Sequence, residues 1–370
     1  MLLSPVLAEL EQYPFTRLDE WRAGRDVIDF GVGDPREATP RFIREALKAA
    51  VGERSSYPRA AGLPELREAI AGWIGRRFGV AVDPDAEIVP TLGSKEAIFS
   101  FAQAVLGERR LVAVPEPAYP VYERGALFAG GTVAAVPLRE ETGWLPDLDA
   151  FDAWDELALF WTCYPSNPTG ATAPLSFYEE LAGRAREHGF LLCSDEAYSE
   201  LWFGEPPASA LQVSEREHVV VFNTLSKRSS MTGYRSGFVC ASPAVAGALR
   251  RFRPTTGTAP QEFVQRASVA AWNDEEHVEA VREVYRRKRE TLLPVLERKG
   301  LRPAGGDATF FLWLAVGGSS EAFALALLEH GLLVAPGSFF GPGAEGYVRL
   351  ALVPTQAECE RAAEILERVL

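Results

Sequence analysis

Cysteine is scarce: four in 370 residues. Cys163, Cys193, Cys240 and Cys359 lie far apart and form no CxxC pair, which argues against a disulfide framework or a zinc site. Reduced thiols of a cytoplasmic protein are expected, three of them in or beside apolar strand-like runs. No apolar run approaches the ~18 residues of a membrane span, and the opening MLLSPVLAEL lacks a basic leader, so a soluble, unexported chain is expected. Excess positive charge is also missing. Lys+Arg 38 against Asp+Glu 51 gives a net −13, a field that repels nucleic acid and anionic membrane. No GxGxxG follows the early strands, which removes the signature of a nicotinamide dehydrogenase. The four histidines, His188, His218, His277 and His330, sit in or beside charged segments without a GxSxG or a metal-spaced partner. Exposed or helix-end roles are expected for them, and no metal.

What the chain does have is length and alternation. At roughly 150 residues per domain, 370 residues make about two to two and a half domains. Strand-like runs occur at Glu87–Thr91, Leu111–Val114, Thr132–Val136, Leu157–Thr162, Phe190–Cys193, Val219–Asn223 and Gly237–Ala241. Helix-length amphipathic stretches separate them, so one large, mostly parallel α/β sheet covered on both faces is predicted. Thr39 is expected to cap a helix with Pro40 at its first position, and Pro64 to open a helix running toward Phe78. After Pro260 a long charged helical stretch, Gln261 to Lys299, carries the turn Asp274–His277. The remainder reads as strand 309–316, helix 321–330, strands 332–335 and 347–352, and a closing helix from Gln356. We expect an N-terminal segment 1–35 packed on the small domain, a large domain 36–259 and a smaller α/β domain 260–370.

Lysine is sparse enough to be informative, at five positions: 48, 95, 227, 288 and 299. Lys48, Lys288 and Lys299 read as solvated helix positions. Lys227, in NTLSKRSSMTGYRSGF, follows the run VVVFN at a strand's carboxyl end, where open α/β sheets gather ligands. A lysine there with few acidic neighbours can lose its proton and attack a carbonyl. Thr224, Ser226 and Arg235 surround it with two hydroxyls and a guanidinium, a set that suits a phosphate. Gly93, Ser94 and Lys95, between a strand and a helix, offer backbone N–H groups as a second half of that cradle. Asp195 ends another strand, and a carboxylate there can keep a pyridine nitrogen protonated.

The ordered motifs SNPTG (166–170), SDEAY (194–198) and SK…GYRSGF (226–238) resemble those of the class I/II aminotransferases of pyridoxal-phosphate fold type I. The likeness runs from GVGDP at Gly31–Pro35 to GYVRLAL at Gly346–Leu352. It implies that Lys227 forms the Schiff base with pyridoxal 5′-phosphate and shuttles the proton at Cα, while Asp195 pairs with the pyridinium. It implies further that Asn167 and Tyr198 donate to the ring's phenolic oxygen and that Tyr119 stacks on the ring. Ser94, Lys95, Thr224, Ser226 and Arg235 hold the phosphate, Thr224 standing where a serine is more usual, and Tyr57 reaches the phosphate of the other subunit of a homodimer. Arg349 grips the α-carboxylate of the amino acid, and Gly33 leaves room for the substrate. YPFTRL, LSKRSSMTGYRSGF, AAWNDEEHV and GPGAEGYVRLAL look most like N-succinyldiaminopimelate aminotransferases of lysine synthesis, acting with a 2-oxo acid such as 2-oxoglutarate. For the distal carboxylate of such a donor, Arg36 and Arg59 are candidates, whereas Arg228 reads as structural. An aspartate or broad-range aminotransferase and a β-eliminating C–S lyase are the alternatives within the fold. A metabolite-sensing DNA-binding regulator would need a helix-turn-helix, and the first amphipathic helix already belongs to the enzyme pattern.

Overall fold

The computed structural model describes residues 4–54 and 56–370. A short strand β1 (Ile28–Asp29) precedes the main sheet. Seven strands then build that sheet: β2 (Ile88–Thr91), β3 (Leu111–Glu116), β4 (Thr132–Pro137), β5 (Leu157–Cys163), β6 (Leu191–Asp195), β7 (Val219–Thr224) and β8 (Gly237–Ala241). They lie in the order β2-β8-β7-β6-β5-β3-β4. All seven runs expected from the sequence are present, with ends shifted by no more than a few residues. β5 to β8 are almost entirely buried, as a sheet covered on both faces requires.

Pairing is parallel from β4 through β7, and only β8 runs antiparallel to its neighbours β7 and β2. This reversal has a chemical consequence. β8 begins where β7 and β2 end, and the register aligns Thr224 with Gly237 and Gly237 with Thr91. The segments around Gly93, Thr224 and Arg235, far apart in sequence, therefore meet at one edge.

The helix Pro64–Phe78 forms as expected, with proline in its first turn. The helix Arg41–Ala50 starts one residue later than expected, with Pro40 as its cap, and Thr39 makes no cap. Its hydroxyl instead donates to the Ser230 carbonyl at 2.6 Å, because a tertiary acceptor close to the lysine loop outcompetes the local one.

The charged stretch after Pro260 forms two helices, Glu262–Trp272 and Glu276–Arg298. Trp272 of the first packs on Trp73 and Phe238, with ring centroids at 4.7 and 5.4 Å. Beyond the second helix come β9 (Arg302–Pro303), β10 (Phe311–Ala315), β11 (Leu332–Leu333), β12 (Ala335–Pro336) and β13 (Tyr347–Ala351). Four of these form an antiparallel sheet in the order β12-β13-β10-β9. The single strand expected at 332–335 is split: β11 pairs in parallel with β1, and β12 pairs with β13. Thus the N-terminal strand and the C-terminal region share backbone hydrogen bonds, including Ala351 N–H to Phe30 O at 2.7 Å. Among the described residues no helix is long and apolar enough to cross a membrane.

Candidate active site

At the edge where β5, β6 and β7 end, a cavity of about 330 Å³ is lined by Gly33, Ser94, Lys95, Tyr119, Asn167, Asp195, Tyr198, Thr224, Ser226, Lys227, Arg235 and Arg349. Twelve of the thirteen residues expected to hold the cofactor and the substrate's α-carboxylate thus converge on one space. The exception is Tyr57, whose ring is fully exposed on the loop before Gly62 and does not line this cavity.

Lys227 follows β7 in a one-turn helix, Leu225–Arg228, capped by Thr224. Its ammonium group donates to the Gly33 carbonyl at 2.6 Å and faces the Phe310 ring at 5.5 Å. Burial pushes the amine down to about 8, with the Arg349 and Arg235 guanidiniums adding to the effect and Asp34 opposing it. An amine held there gives up its proton far more readily than an exposed lysine. Burial acts in the opposite sense on Asp195, pushing its carboxyl up to about 6. Tyr122 donates to its Oδ2 at 2.7 Å and Ala197 N–H to its Oδ1 at 3.1 Å, both favouring the ionised form. A buried carboxylate with neutral donors and no guanidinium or ammonium bonded to it fits a cationic ring N–H.

The phosphate side of the cavity is built from three segments. Thr224 Oγ1 donates to Ser236 O at 2.9 Å, accepts from Ser226 N–H at 3.2 Å, and lies 2.9 Å from Ser226 Oγ. Gly93 caps the helix Ser94–Val105 with φ +77°, and a Cβ added there would lie 2.7 Å from Arg235 Nη2. Only glycine combines that backbone with that approach. Arg235 is tethered through Leu92 O and Thr232 O at 3.0 and 2.8 Å. The Lys95 ammonium lies over the rings of Tyr13 and Tyr119, at 5.0 and 5.7 Å from their centroids. Two hydroxyls, a helix N-terminus that lines the cavity and two cations fit a phosphate group.

On the opposite side Arg349, in β13, is buried among Phe311, Phe340 and Phe15, its guanidinium 4.3, 4.7 and 5.3 Å from their centroids. It donates to Asn167 Oδ1 and to Gly31 O, both at 2.7 Å, while its Nε finds no partner. Burial pushes it down to about 10. A buried guanidinium bonded only to neutral acceptors is costly unless an anion completes it, and a carboxylate suits its fork. Tyr198 packs edge-on to Phe310 and Phe311, and burial raises its hydroxyl well above the ordinary range. At Gly33 an added Cβ would lie 3.1 Å from the Phe311 ring, so that position holds the cavity open by lacking a side chain.

Other placements differ from the sequence reading. Lys288, expected on a solvated face, is buried and paired with Glu37, because its helix lies against the loop that follows Gly33. Arg228 is buried between Trp73 and Trp272 and bonded to Glu275, as a structural residue. Arg36 pairs with Glu358 and Asp29, and the exposed Arg59 is not in the cavity. The sequence reading missed Tyr122, in the first turn of the helix Val121–Phe128 that follows Tyr119, and Asp34, beside Gly33; both line the cavity. All four cysteines are buried and free, and Cys163 lines the cavity.

The family described as aminotransferase class I and II matches residues 25–366. An LL-diaminopimelate aminotransferase of Aquifex aeolicus is 41% identical over 100% of this chain and 96% of its own length. One from Nitratidesulfovibrio vulgaris is 38% identical, over 99% of this chain and 98% of its own. Neither bears the N-succinyl name that the motifs suggested. Among solved structures, an aminotransferase from Neisseria meningitidis superposes with a TM-score of 0.92 at 36% identity, covering 100% of both chains. An aspartate aminotransferase variant of Thermus thermophilus gives 0.92 at 32%, again over 100% of both. The chain therefore belongs to the class I and II aminotransferases, fold type I enzymes that use pyridoxal 5′-phosphate.

Proposed function

We propose that this aminotransferase moves an amino group between LL-diaminopimelate and a 2-oxo acid such as 2-oxoglutarate, within lysine synthesis. The substrate reading rests on the names of relatives that match at 41 and 38% identity over essentially the whole chain. The observation that carries the chemistry is the enclosure of Lys227, Asp195 and Arg349 in one cavity. Next to it, a pocket sharing Tyr13, Phe15, Val32 and Asp34 also carries Asp19, Asp29, Arg22 and Arg36. Charges of both signs suit a donor whose far end is itself an amino acid, better than one capped by a succinyl group.

When bound, pyridoxal 5′-phosphate supplies the electron sink that stabilises negative charge at the substrate Cα. In our reading the chain does the rest. Lys227 would hold the cofactor, and its amine would accept and return the proton at the substrate Cα. Its depressed basicity matches that task near neutral pH. Asp195 keeps the ring nitrogen protonated, and Tyr122 and Ala197 keep Asp195 ionised. Asn167 and Tyr198 would hold the cofactor's phenolic oxygen, and Tyr119 would pack on its ring. Ser94, Lys95, Thr224, Ser226 and Arg235 would hold the phosphate, joined by Tyr57 from a second copy of the chain. Arg349 orients the α-carboxylate, and Gly33 clears its path.

A donor screen with 2-oxoglutarate tests the substrate reading. LL-diaminopimelate should give a kcat/KM at least about tenfold above N-succinyl-LL-diaminopimelate, aspartate and aromatic amino acids. Preference for aspartate would select the broad-range alternative, and pyruvate with ammonia as products would select a C–S lyase.

A further inference from the structure

The two residues after Lys227, Arg228 and Ser229, are tied to the turn Asp274–His277. Arg228 donates to Ala271 O and to Glu275 Oε2, at 3.2 and 3.0 Å. Ser229, wholly buried, lies with its hydroxyl 2.8 Å from His277 Nε2. His277 Nδ1 lies 2.6 Å from Asp274 Oδ1, which also accepts the His277 backbone N–H at 3.0 Å. Ser230 has φ +48°, in the left-handed region, and its carbonyl accepts the Thr39 hydroxyl. The backbone leaving Lys227 is thus held in an uncommon conformation by contacts from outside its own element.

The direction of the hydrogen bonds follows from charge. Burial and the Arg228 guanidinium hold the imidazole below its ordinary basicity, and Asp274 opposes them. A neutral ring with Nδ1–H donating to Asp274 leaves Nε2 as the acceptor of the Ser229 O–H. Phe42, from the helix Arg41–Ala50, covers the ring edge-on at 5.5 Å. The groups facing His277 are therefore Asp274 from its own turn, Ser229 and Arg228 from the lysine loop, and the apolar Phe42. Ser, His and Asp in this order suggest a nucleophile, but Ser229 is sealed from solvent and does not line the cavity. The chain can act only through the backbone it holds.

We propose that the hydrogen-bonded chain Ser229–His277–Asp274, buried at Ser229 and His277, is a positioning device that fixes the loop carrying Lys227, and so the placement of its amine against Gly33. This rests on the reading that Lys227 is the cofactor lysine. The helix Glu276–Arg298 makes a second such tie about three turns further along the same face, where Lys288 meets Glu37, three residues after Asp34. One helix therefore braces both walls between which the Lys227 amine sits.

The test measures the lysine itself rather than turnover. Cofactor-free protein is treated with a limiting amine-acylating reagent across a pH series, and modification of Lys227 is quantified by peptide mass spectrometry. Ser229→Ala, His277→Ala and Asp274→Asn are compared with the parent, each alongside its thermal melt. If the chain positions the amine, releasing it lets water reach Lys227, its basicity rises, and acylation at a fixed pH near neutrality slows about three- to tenfold. His277→Gln, which can still accept from Ser229, should recover part of the parental rate. A lower Tm with an unchanged Lys227 titration would overturn the proposal in favour of simple packing. If His277→Ala does not fold, Ser229→Ala, which removes one hydroxyl, decides alone. A Lys227 in the parent that acylates no faster than Lys48 or Lys299 would instead undercut the reading of Lys227 on which this inference stands.

Discussion

Lys227, Asp195 and Arg349 show how burial, the largest influence on each, sets reactivity. The same loss of water makes an amine easier to deprotonate, a carboxyl harder to ionise and a guanidinium in need of an anion. Lys227→Ala should fold, bind cofactor noncovalently, and lose transamination by orders of magnitude; borohydride reduction of the loaded parent should fix the cofactor on Lys227. Fixation on another lysine would remove the central assignment. For Arg349, a charge-assisted pair is worth about 1.5–3 kcal/mol, so Arg349→Ala should raise KM for the amino acid roughly ten- to a hundredfold. Steady-state kinetics check this, and an unchanged KM for every donor would place the carboxylate elsewhere.

At the scale of elements, the site depends on strand ends. β6 ends in Asp195, and the next residue, Glu196, turns away from the cavity. Its Oε1 accepts from Ser194 Oγ and Ala210 N–H at 3.0 and 2.8 Å, while Oε2 has no partner. Burial pushes this carboxyl from 4.5 up to about 7. Between those values the folded chain holds a proton that the unfolded chain has released, so the contribution of Glu196 to stability falls as pH rises across that window. Glu196→Gln should flatten the fall of Tm between about pH 4.5 and 7, as thermal melts would show. An equal slope in both proteins would mean that Glu196 is ionised when folded. The antiparallel entry of β8 is the other decisive feature at this scale, since it alone brings Arg235 back to the edge where Thr224 and Gly93 lie.

For the whole molecule, Tyr57 raises the question of a second copy. A fully exposed tyrosine outside the cavity of its own chain suits a role across a two-fold interface, where it would complete the phosphate site of its partner. Mixing the inactive variants Tyr57→Ala and Lys227→Ala under conditions of subunit exchange should then restore activity. In such a heterodimer one site carries both defects and the other neither. No recovery despite demonstrated exchange would count against a shared site, and a fully active monomer in sedimentation would exclude it.

The sequence by itself determined the seven main strands, the helix from Pro64 and most of the residues that line the site. Those features are local: apolar runs, proline at helix starts, and a few functional residues at fixed spacing. Lys227, Asp195, Arg235 and Arg349 were legible because few lysines compete and the surrounding motifs are ordered. What only the tertiary structure decided depends on neighbours distant in sequence. Thr39 found Ser230 rather than its own helix, and Lys288 found Glu37 rather than water. Strand 332–335 split because β1 and β13 claim its two halves. Tyr122 and His277 drew no functional reading because each acts on a partner, Asp195 or Ser229, that lies 73 or 48 residues away along the chain. A hydrogen bond across such a span leaves no period or spacing to read; it exists only once the sheet edge and the long helix have been brought together.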